Sequence, residues 1–414
     1  MYKFQLALPA LVAVAAVLYA APAAAGPGIS TAVGDINQDG LADIVNIDAQ
    51  GNINVVVCNA DGSFSVTTYT PGDLVSPSSV AVADLNGDGW PDLIVTDASD
   101  AGSGIHVLYN NGDGTFGADV VYASGSTMTP GPQAVAVADV NGDGFPDILT
   151  ANGTADSVSV LLNAGDGTYP AAMQYPTGES AVAVAATDLN GDGWQDMVTT
   201  NLGDNSVAVL LNNGDGSFAA PAMQTVGSNP VAVALADVNN DGRPDVVVAD
   251  RSDNNAAVLL GNGDGSFAAP AYYTTGLQPS WITAQDLNGD GLPDMVTDNY
   301  SDGSVSVFTN NGDGSFAAQQ QVFPAYGSDN TVVMPVNGSS APAVVSVDLQ
   351  VASVVVTATP ASSGKNTKKP PKPGVYHVKG AKASNVSGHA GGFGLLGLLV
   401  LAAGLVRRRA CRQA

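Results

Sequence analysis

The residues best suited to chemistry form a nine-residue acidic loop that occurs six times in the chain. Its plainest copy, DLNGDGWPD, runs from Asp84 to Asp92. In every copy the first, fifth and ninth residues are Asp, the third is Asn and the sixth is Gly. Oxygen-bearing side chains that alternate around a tight glycine turn suit a hard cation with roughly six to eight oxygen ligands, and calcium is the first candidate.

The candidate ligand side chains are the three Asp and the Asn of each loop. They are Asp35, Asn37, Asp39 and Asp43; Asp84, Asn86, Asp88 and Asp92; Asp139, Asn141, Asp143 and Asp147; Asp188, Asn190, Asp192 and Asp196; Asp237, Asn239, Asp241 and Asp245; and Asp286, Asn288, Asp290 and Asp294. Without a cation, each pair of carboxylates at ~4 Å would repel by about 1 to 4 kcal/mol. The sequence therefore predicts six structural calcium sites, although Asp, Asn and Gly also favour metal-free turns.

The loops are expected to join strands rather than helices. An EF-hand would need Glu at position twelve and flanking helices, but position twelve is Asn, Val or Thr in these copies. A short apolar run rich in β-branched residues follows each loop, such as LIVTD after Asp92. Such runs are typical of strands.

The spacing of the loops predicts a repeat architecture. Successive copies start 49, 55, 49, 49 and 49 residues apart, and a fixed period of this size is typical of propeller blades with four strands each. A second recurrent segment is a turn with Asp-Gly before an aromatic residue, which is a strong hairpin signal. These aromatic residues are expected to pack between neighbouring blades: Phe64, Phe116, Tyr169, Phe218, Phe267 and Phe316.

A seventh unit follows Asn330, with Asn337 and Pro342 in register but without the three Asp. We therefore expect an all-β, seven-bladed propeller in which six blades carry a calcium-binding hairpin loop; the alternative is six blades plus a degenerate appendage. The fourth strand of this seventh unit is missing from the repeat pattern, and either residues 26–30 or VYHV at Val375 could supply it.

The charge distribution excludes nucleic acid as a partner. All 38 acidic residues lie between Asp35 and Asp348, where only Arg243 and Arg251 oppose them. Nucleic-acid binding requires a basic face. The two cysteines, Cys58 and Cys411, predict no disulfide framework.

These motifs resemble the FG-GAP/VCBS repeat family, the seven-bladed propellers that include the integrin alpha head. The resemblance covers Thr31 to about Pro360 and includes the segment FAAPA at Phe218 and Phe267. It implies that the backbone carbonyl at loop position seven also binds calcium. Those carbonyls belong to Leu41, Trp90, Phe145, Trp194, Arg243 and Leu292. The resemblance further implies binding or adhesion, and some members are lectins or modules attached to enzymes.

The two ends of the chain predict export. Residues 1–25 have the charge, apolar run and small residues of a cleaved signal peptide, and residues 26–362 form the expected propeller. A Lys- and Pro-rich linker is expected at 363–388. Residues 389–414 contain two Gly, an apolar run and three Arg, which resembles a bacterial Gly-Gly sorting signal; a permanent membrane anchor is the alternative.

The sequence favours a binding protein over an enzyme. Its three histidines, His106, His377 and His389, form no recognisable catalytic constellation, and no GxSxG motif is present. We expect a secreted or surface-held module of a bacterial envelope, Gram-negative in type, that binds an extracellular protein or glycan. The alternative function is a calcium-dependent lectin, suggested by Trp90, Trp194 and Trp281.

Overall fold

The computed structural model describes residues 30–48, 51–59, 64–99, 104–125 and 130–322, together with strands at 331–335, 342–348, 353–357 and 374–377. The expected signal peptide, most of the expected linker and the C-terminal apolar segment lie outside the described residues. Within the described part of the chain, no helix is long and apolar enough to cross a membrane.

Each of the six loop-bearing repeats forms one four-stranded antiparallel blade whose strands pair in chain order. Blade 1 contains β1 (Thr31–Gly34), β2 (Asp43–Ile47), β3 (Ile53–Cys58) and β4 (Phe64–Tyr69); blade 2 contains β5 (Pro77–Ala83), β6 (Asp92–Asp97), β7 (Gly104–Leu108) and β8 (Val120–Ala123); blade 3 contains β9 (Pro132–Ala138), β10 (Asp147–Asn152), β11 (Ser157–Leu161) and β12 (Met173–Pro176). Blade 4 contains β13 (Ala181–Thr187), β14 (Asp196–Asn201), β15 (Ser206–Leu210) and β16 (Ala222–Thr225); blade 5 contains β17 (Pro230–Ala236), β18 (Asp245–Asp250), β19 (Asn255–Leu259) and β20 (Ala271–Thr274); blade 6 contains β21 (Pro279–Gln285), β22 (Asp294–Asn299), β23 (Ser304–Phe308) and β24 (Gln320–Val322).

The second strand of each of blades 2 to 5 is buried on both faces because a neighbouring blade covers each side. Every residue of β6, for example, is buried. At the interface between blades 2 and 3, Ile94 and Val107 of blade 2 pack in the same apolar cluster as Ile148 and Leu161 of blade 3. By contrast, residues of the outermost strand β12 alternate between half-buried and exposed. The continuous apolar runs that follow the loops are therefore core strands between blades.

Aromatic pairs join the outer parts of neighbouring blades at four of the six positions that the sequence predicted. A tyrosine on the outer strand of one blade meets the recurrent aromatic of the next in an edge-to-face arrangement. The pairs, with ring-centroid separations, are Tyr69–Phe116 at 5.6 Å, Tyr122–Tyr169 at 5.2 Å, Tyr175–Phe218 at 5.4 Å and Tyr273–Phe316 at 5.4 Å. Between blades 4 and 5 the tyrosine position is held by Gln224, which pairs with Val207 as Tyr175 pairs with Val158.

The final unit corrects the prediction of a seven-bladed propeller. Its strands β25 (Thr331–Pro335), β26 (Pro342–Asp348), β27 (Ser353–Thr357) and β28 (Gly374–His377) pair as a further four-stranded sheet. The strand β25 approaches β1 but makes no comparable approach to β21 of blade 6. The chain thus forms six blades packed in succession, with the last sheet as an appendage, and of the two sources considered for its fourth strand it uses VYHV.

A physical reason for this correction is visible in the sequence of the appended unit. It has neither the Asp-Gly turn nor the aromatic residue that join the other blades to their predecessors. The repeat period extends to the strands of this unit, but the residues that would join it to a neighbouring blade are missing.

Candidate functional site

The six acidic loops lie at one end of the blades, each between the first and second strand. The turns between the third and fourth strands lie at this same end. The turns between the second and third strands, and the connections from one blade to the next, lie at the opposite end. We call these the loop end and the connection end of the propeller.

Within each loop, the side-chain oxygens of the first, third and fifth positions bind backbone N–H groups. The Asp84 carboxylate accepts from Gly87 N at 2.9 Å and from Gly89 N at 2.8 Å. The Asn86 Oδ1 accepts from Asp88 N at 2.9 Å, and Asp88 Oδ1 accepts from Trp90 N at 2.8 Å. The structure therefore brings these three predicted residues together in one compact turn, and the same bonding recurs in the later loops, as in Asp188 to Trp194.

The loop backbone turns to the left-handed region at two positions, of which sequence reasoning explained only one. The glycine at position six has φ between 82° and 92° in all six loops. Position four is also left-handed: it is Gly in four copies, Gln38 with φ 54° and Asn240 with φ 57°. Glycine adopts this conformation without steric cost and Asn tolerates it. The recurrence of Gly, and once of Asn, at position four was the sequence signal for this second left-handed position.

The ninth Asp fastens the loop to the blade. Asp92 is fully buried, and its carboxylate accepts from Leu85 N at 3.0 Å and Asn110 N at 2.8 Å. It thereby joins the loop to the turn between the third and fourth strands. Equivalent bonds are made by Asp43, Asp147, Asp196, Asp245 and Asp294.

Burial raises the pKa of these ninth carboxyls. It raises the pKa of Asp43 to about 7 and that of Asp92 and Asp147 to about 6; the backbone N–H bonds oppose the shift, and the loop's other two Asp add to it. Burial likewise raises the pKa of Asp196, Asp245 and Asp294. A nearby cation would favour the charged form of these groups.

An asparagine in the turn between the third and fourth strands joins each of four blades to its predecessor. Asn212 Nδ2 of blade 4 donates to Val140 O in the loop of blade 3 at 2.7 Å. The same bond links Asn110 to Ile36 O, Asn163 to Leu85 O and Asn310 to Val238 O. In blade 5 the position is Gly261. Sequence reasoning missed these residues, whose signal was the Asn three positions before the recurrent Asp.

The acidic residue of that turn has a local role. Asp113 Oδ1 accepts from Thr115 N at 2.9 Å and from Thr115 Oγ1 at 2.6 Å. These two bonds hold the pKa of Asp113 below its usual value. The bonding is that of a self-satisfied turn.

Side chains at loop position seven pack over glycines of the loop end. A Cβ on Gly142 of blade 3 would lie 2.5 Å from the Trp194 ring of blade 4, and one on Gly214 would lie 3.0 Å from Trp194 Nε1. Trp90 lies next to Gly112, and Trp281 is 8% exposed. The three tryptophans considered for sugar stacking are thus engaged with the protein over part or nearly all of their surface.

The donor set of each loop fits an oxygen-preferring cation in its chemistry. Three carboxylates and one amide oxygen lie within nine residues, and position seven adds a carbonyl. Among the residues that the structure describes, no three His, Cys, Asp or Glu side chains are grouped closely enough to hold a metal ion. Calcium binding would therefore depend on the Asn and carbonyl oxygens as well as on the acids.

His106 is a candidate histidine whose side-chain surroundings the structure describes. It is buried in β7, with Nδ1 2.8 Å from Asp119 Oδ2 and Nε2 4.0 Å from Asp97 Oδ2. The Asp97 carboxylate accepts from the backbone N–H groups of Val75 and Ser76. His106 is therefore a buried histidine of strand β7 whose Nδ1 is bonded to the Asp119 carboxylate.

Solved structures share the fold at low sequence identity. A Lactobacillus plantarum protein has a TM-score of 0.58 and 17% identity, covering 87% of this chain and 96% of its own. An Agrocybe aegerita lectin that recognises non-reducing terminal N-acetylglucosamine has a TM-score of 0.51 and 22% identity, with 72% and 81% coverage. A Staphylococcus aureus virginiamycin B lyase has a TM-score of 0.52 and 13% identity, with 80% and 95% coverage. These likenesses concern the propeller fold alone.

Sequence comparison is more specific. Human integrin alpha-7 is 40% identical over an alignment of 77 residues, and the match covers 17% of this chain and 6% of the integrin. The description FG-GAP-like repeat matches five overlapping segments: residues 35–95, 84–150, 139–199, 188–248 and 237–297. Each segment runs from one acidic loop into the second strand of the next blade. On these matches, which span more than half of its length, the chain belongs to the family of proteins with FG-GAP-like repeats.

Proposed function

We propose that this protein is an exported, calcium-stiffened propeller that acts as a non-enzymatic binding module at the cell surface or after secretion. The observation that carries the proposal is the placement of six acidic loops at one end of successive blades. Each loop is fastened to its blade through a buried carboxylate, so a cation bound there would stabilise the blade as well as the loop.

Calcium would add a large share of the stability. When its concentration is tenfold above the dissociation constant, each site contributes about 1.4 kcal/mol, and six such sites contribute about 8 kcal/mol. This sum is comparable with the whole stability of a typical domain. We therefore expect the melting temperature to fall strongly when calcium is exchanged for EDTA.

A matched pair of variants separates a loop site from general acidity. Asp192→Ala removes the fifth residue of the blade 4 loop, whereas Asp215→Ala removes the exposed Asp of the turn in the same blade. Native mass spectrometry in calcium should show one ion fewer for Asp192→Ala and no change for Asp215→Ala. Equal ion counts in both variants, or an unchanged melting temperature in EDTA, would refute the structural calcium role.

The connection end is the better candidate for ligand recognition because its surface differs from blade to blade. The first residue of the turn after the second strand is Leu202, Arg251 or Tyr300 in blades 4, 5 and 6. At blade 6, Leu277 is 53% exposed and Tyr300 is 49% exposed, and the backbone bonds from Tyr300 N to Gln278 O and from Ser301 N to Leu277 O hold the two segments that carry them together. An extracellular protein with an apolar patch is the ligand class that such a surface favours.

A screen of extracellular matrix proteins and of a glycan array tests this assignment. We expect Tyr300→Ala to weaken the binding of a protein hit, and Tyr272→Ala to leave it unchanged, since Tyr272 is equally exposed but lies on the outer strand of blade 5. Loss of binding in both variants, or in neither, would remove the connection end from consideration. Calcium-dependent glycan hits that require Trp90 or Trp194 would favour the lectin instead.

The location of the protein rests on the two ends of the chain. Residues 1–25 direct export in this proposal, and residues 389–414 hold the protein in the membrane or are removed during surface delivery. Cell fractionation followed by mass spectrometry of both termini tests it. A cytoplasmic protein with an intact amino terminus would contradict export.

A further inference from the structure

A buried acid in blade 5 has fewer well-placed hydrogen-bond donors than its counterparts in other blades. Asp250 is the last residue of β18 and is fully buried, yet neither of its carboxylate oxygens has a hydrogen bond of normal geometry, and the Gly227 backbone N–H only approaches them. Gly227, in the connection from blade 4, lies directly against the carboxylate and leaves no space for a Cβ. A buried carboxylate with so little hydrogen bonding is energetically costly in its charged form.

The equivalent residues of other blades show what is missing. Asn201 Nδ2 donates to Ser206 Oγ at 3.0 Å, and Asn299 Nδ2 donates to Ser304 Oγ at 3.0 Å. In blade 2 the position is also an acid, Asp97, but it accepts from three backbone N–H groups, of Val75, Ser76 and Ser99. Asp250 has neither arrangement.

The residue that faces Asp250 across the sheet is a second acceptor. The register pairs Asp250 with Asn255, as it pairs Asn201 with Ser206. Asn255 Oδ1 is also buried without a hydrogen-bond partner. Two buried acceptors therefore occupy paired positions where other blades place a donor against an acceptor, and one added proton would give the pair its missing donor.

We propose that Asp250 is protonated in the folded protein and donates its Oδ–H to Asn255 Oδ1, so that its ionisation loosens the blade 5 turn at the connection end. The proton takes the place of the asparagine amide that other blades use. The turn concerned covers residues 251–254, and Asp253 Oδ2 in it accepts from Ser228 N of the adjoining connection at 2.7 Å.

The charged and titratable surroundings agree with a neutral Asp250. Burial, followed by the charge of Asp253, raises the pKa of Asp250 to about 8, although the Gly227 backbone lowers it. The other titratable neighbours are Tyr272, whose own pKa is raised by burial and then by Asp250, and Arg251, which follows Asp250 in the chain. Because the folded protein binds a proton that the unfolded chain releases near pH 4, stability falls as the pH rises from about 4 to about 8.

Asp250→Asn is the direct test, since it installs the residue found in blades 3, 4 and 6. With calcium held at millimolar concentration, we expect the melting temperature of Asp250→Asn minus that of the wild type to rise between pH 5 and 8 and then to level off. Asn255→Ser, which supplies the hydroxyl found opposite Asn201, should reduce the pH dependence. Parallel pH profiles of the wild type and Asp250→Asn would overturn the proposal.

Hydrogen exchange in the wild-type protein tests the proposal without relying on a variant. Peptides that cover 246–256 in blade 5 and 197–207 in blade 4 differ at this pair of positions, and the blade 4 peptide is the internal control. After correction for intrinsic exchange, we expect protection of the blade 5 peptide to fall at least tenfold relative to blade 4 between pH 6 and 9. A constant ratio would mean that Asp250 is already ionised, with the Asn255 amide turned to donate to it, and would overturn the proposal.

Discussion

The asparagine bonds between blades provide the sharpest test of what holds the propeller together. Asn212 is 6% exposed. Its Nδ2 donates to Val140 O at 2.7 Å and to Gln195 O at 3.0 Å, and its Oδ1 accepts from Gly214 N at 2.9 Å. Asn212→Ala removes all three bonds and leaves backbone groups in the interface without these partners.

The size of the effect follows from the number of bonds. A hydrogen bond contributes about 1 kcal/mol net, and a buried polar group left without a partner costs about 1 to 3 kcal/mol. We therefore expect Asn212→Ala to lower the free energy of unfolding by about 3 kcal/mol. The matched control is Asn213→Ala, because the adjacent Asn213 is exposed and bonds only Ser217 Oγ through its side chain, at 3.0 Å. Its effect should stay within about 0.5 kcal/mol.

Urea unfolding at fixed calcium concentration measures both variants, with the slope of the transition showing whether the unfolded surface is unchanged. Hydrogen exchange should locate the loss of protection to the blade 3 loop and the blade 4 turn. If Asn212→Ala and Asn213→Ala unfold at the same urea concentration, the asparagine bonds do not hold the blades together and the reasoning fails.

Three further predictions concern the loop end and the blade interfaces. In EDTA, stability should fall as the pH rises from about 4 to 7, because burial raises the pKa of Asp43 to about 7 and that of Asp92 and Asp147 to about 6. Saturating calcium should suppress this loss of stability. Melting curves recorded across this pH range, with EDTA and with calcium, check both expectations. Gly142→Ala should destabilise the protein more than Gly191→Ala. Both glycines have left-handed backbones, with φ of 73° and 77°, but of the two only Gly142 has the Trp194 ring against it. Equal denaturation midpoints for the two variants would contradict the packing role of Trp194. Gln224→Tyr should stabilise the protein by about 0.5 to 1.5 kcal/mol by supplying the aromatic partner that Phe267 lacks; a lower melting temperature would show that this interface has no room for the ring.

The repeat strands and the compact loops could be predicted because local residue patterns determine them. The Asp, Asn and Gly positions specify a turn through short-range bonds, and the β-branched runs after each loop specify buried strands. The recurrent aromatic residues before the outer strands also predicted that these side chains pack between blades.

What the sequence did not reveal is which backbone groups the polar side chains reach. The bond from Asn212 to Val140 O spans 72 residues, and nothing in the NGDG pattern indicates which carbonyl the amide reaches. The ninth Asp was assigned only as a metal ligand, whereas its buried carboxylate also binds the turn between the third and fourth strands. The blade count failed for the same reason, since a repeat period records strands but not the side chains that connect one blade to the next.

The departures from the repeat are concentrated where blade 5 meets blade 4. Gly261 replaces the asparagine that bonds the preceding loop, Gln224 replaces the tyrosine that meets the next aromatic, and Asp250 replaces the asparagine that bonds the third strand. Gly261 and Gln224 each lack a contact that neighbouring interfaces retain, and Asp250 supplies a donor to its own blade only while it is protonated, whereas the acidic loop of blade 5 keeps its full donor set. The interface between blades 4 and 5 therefore depends more than its neighbours on apolar packing and on its loops, so local opening should begin there when calcium is withdrawn or the pH is raised.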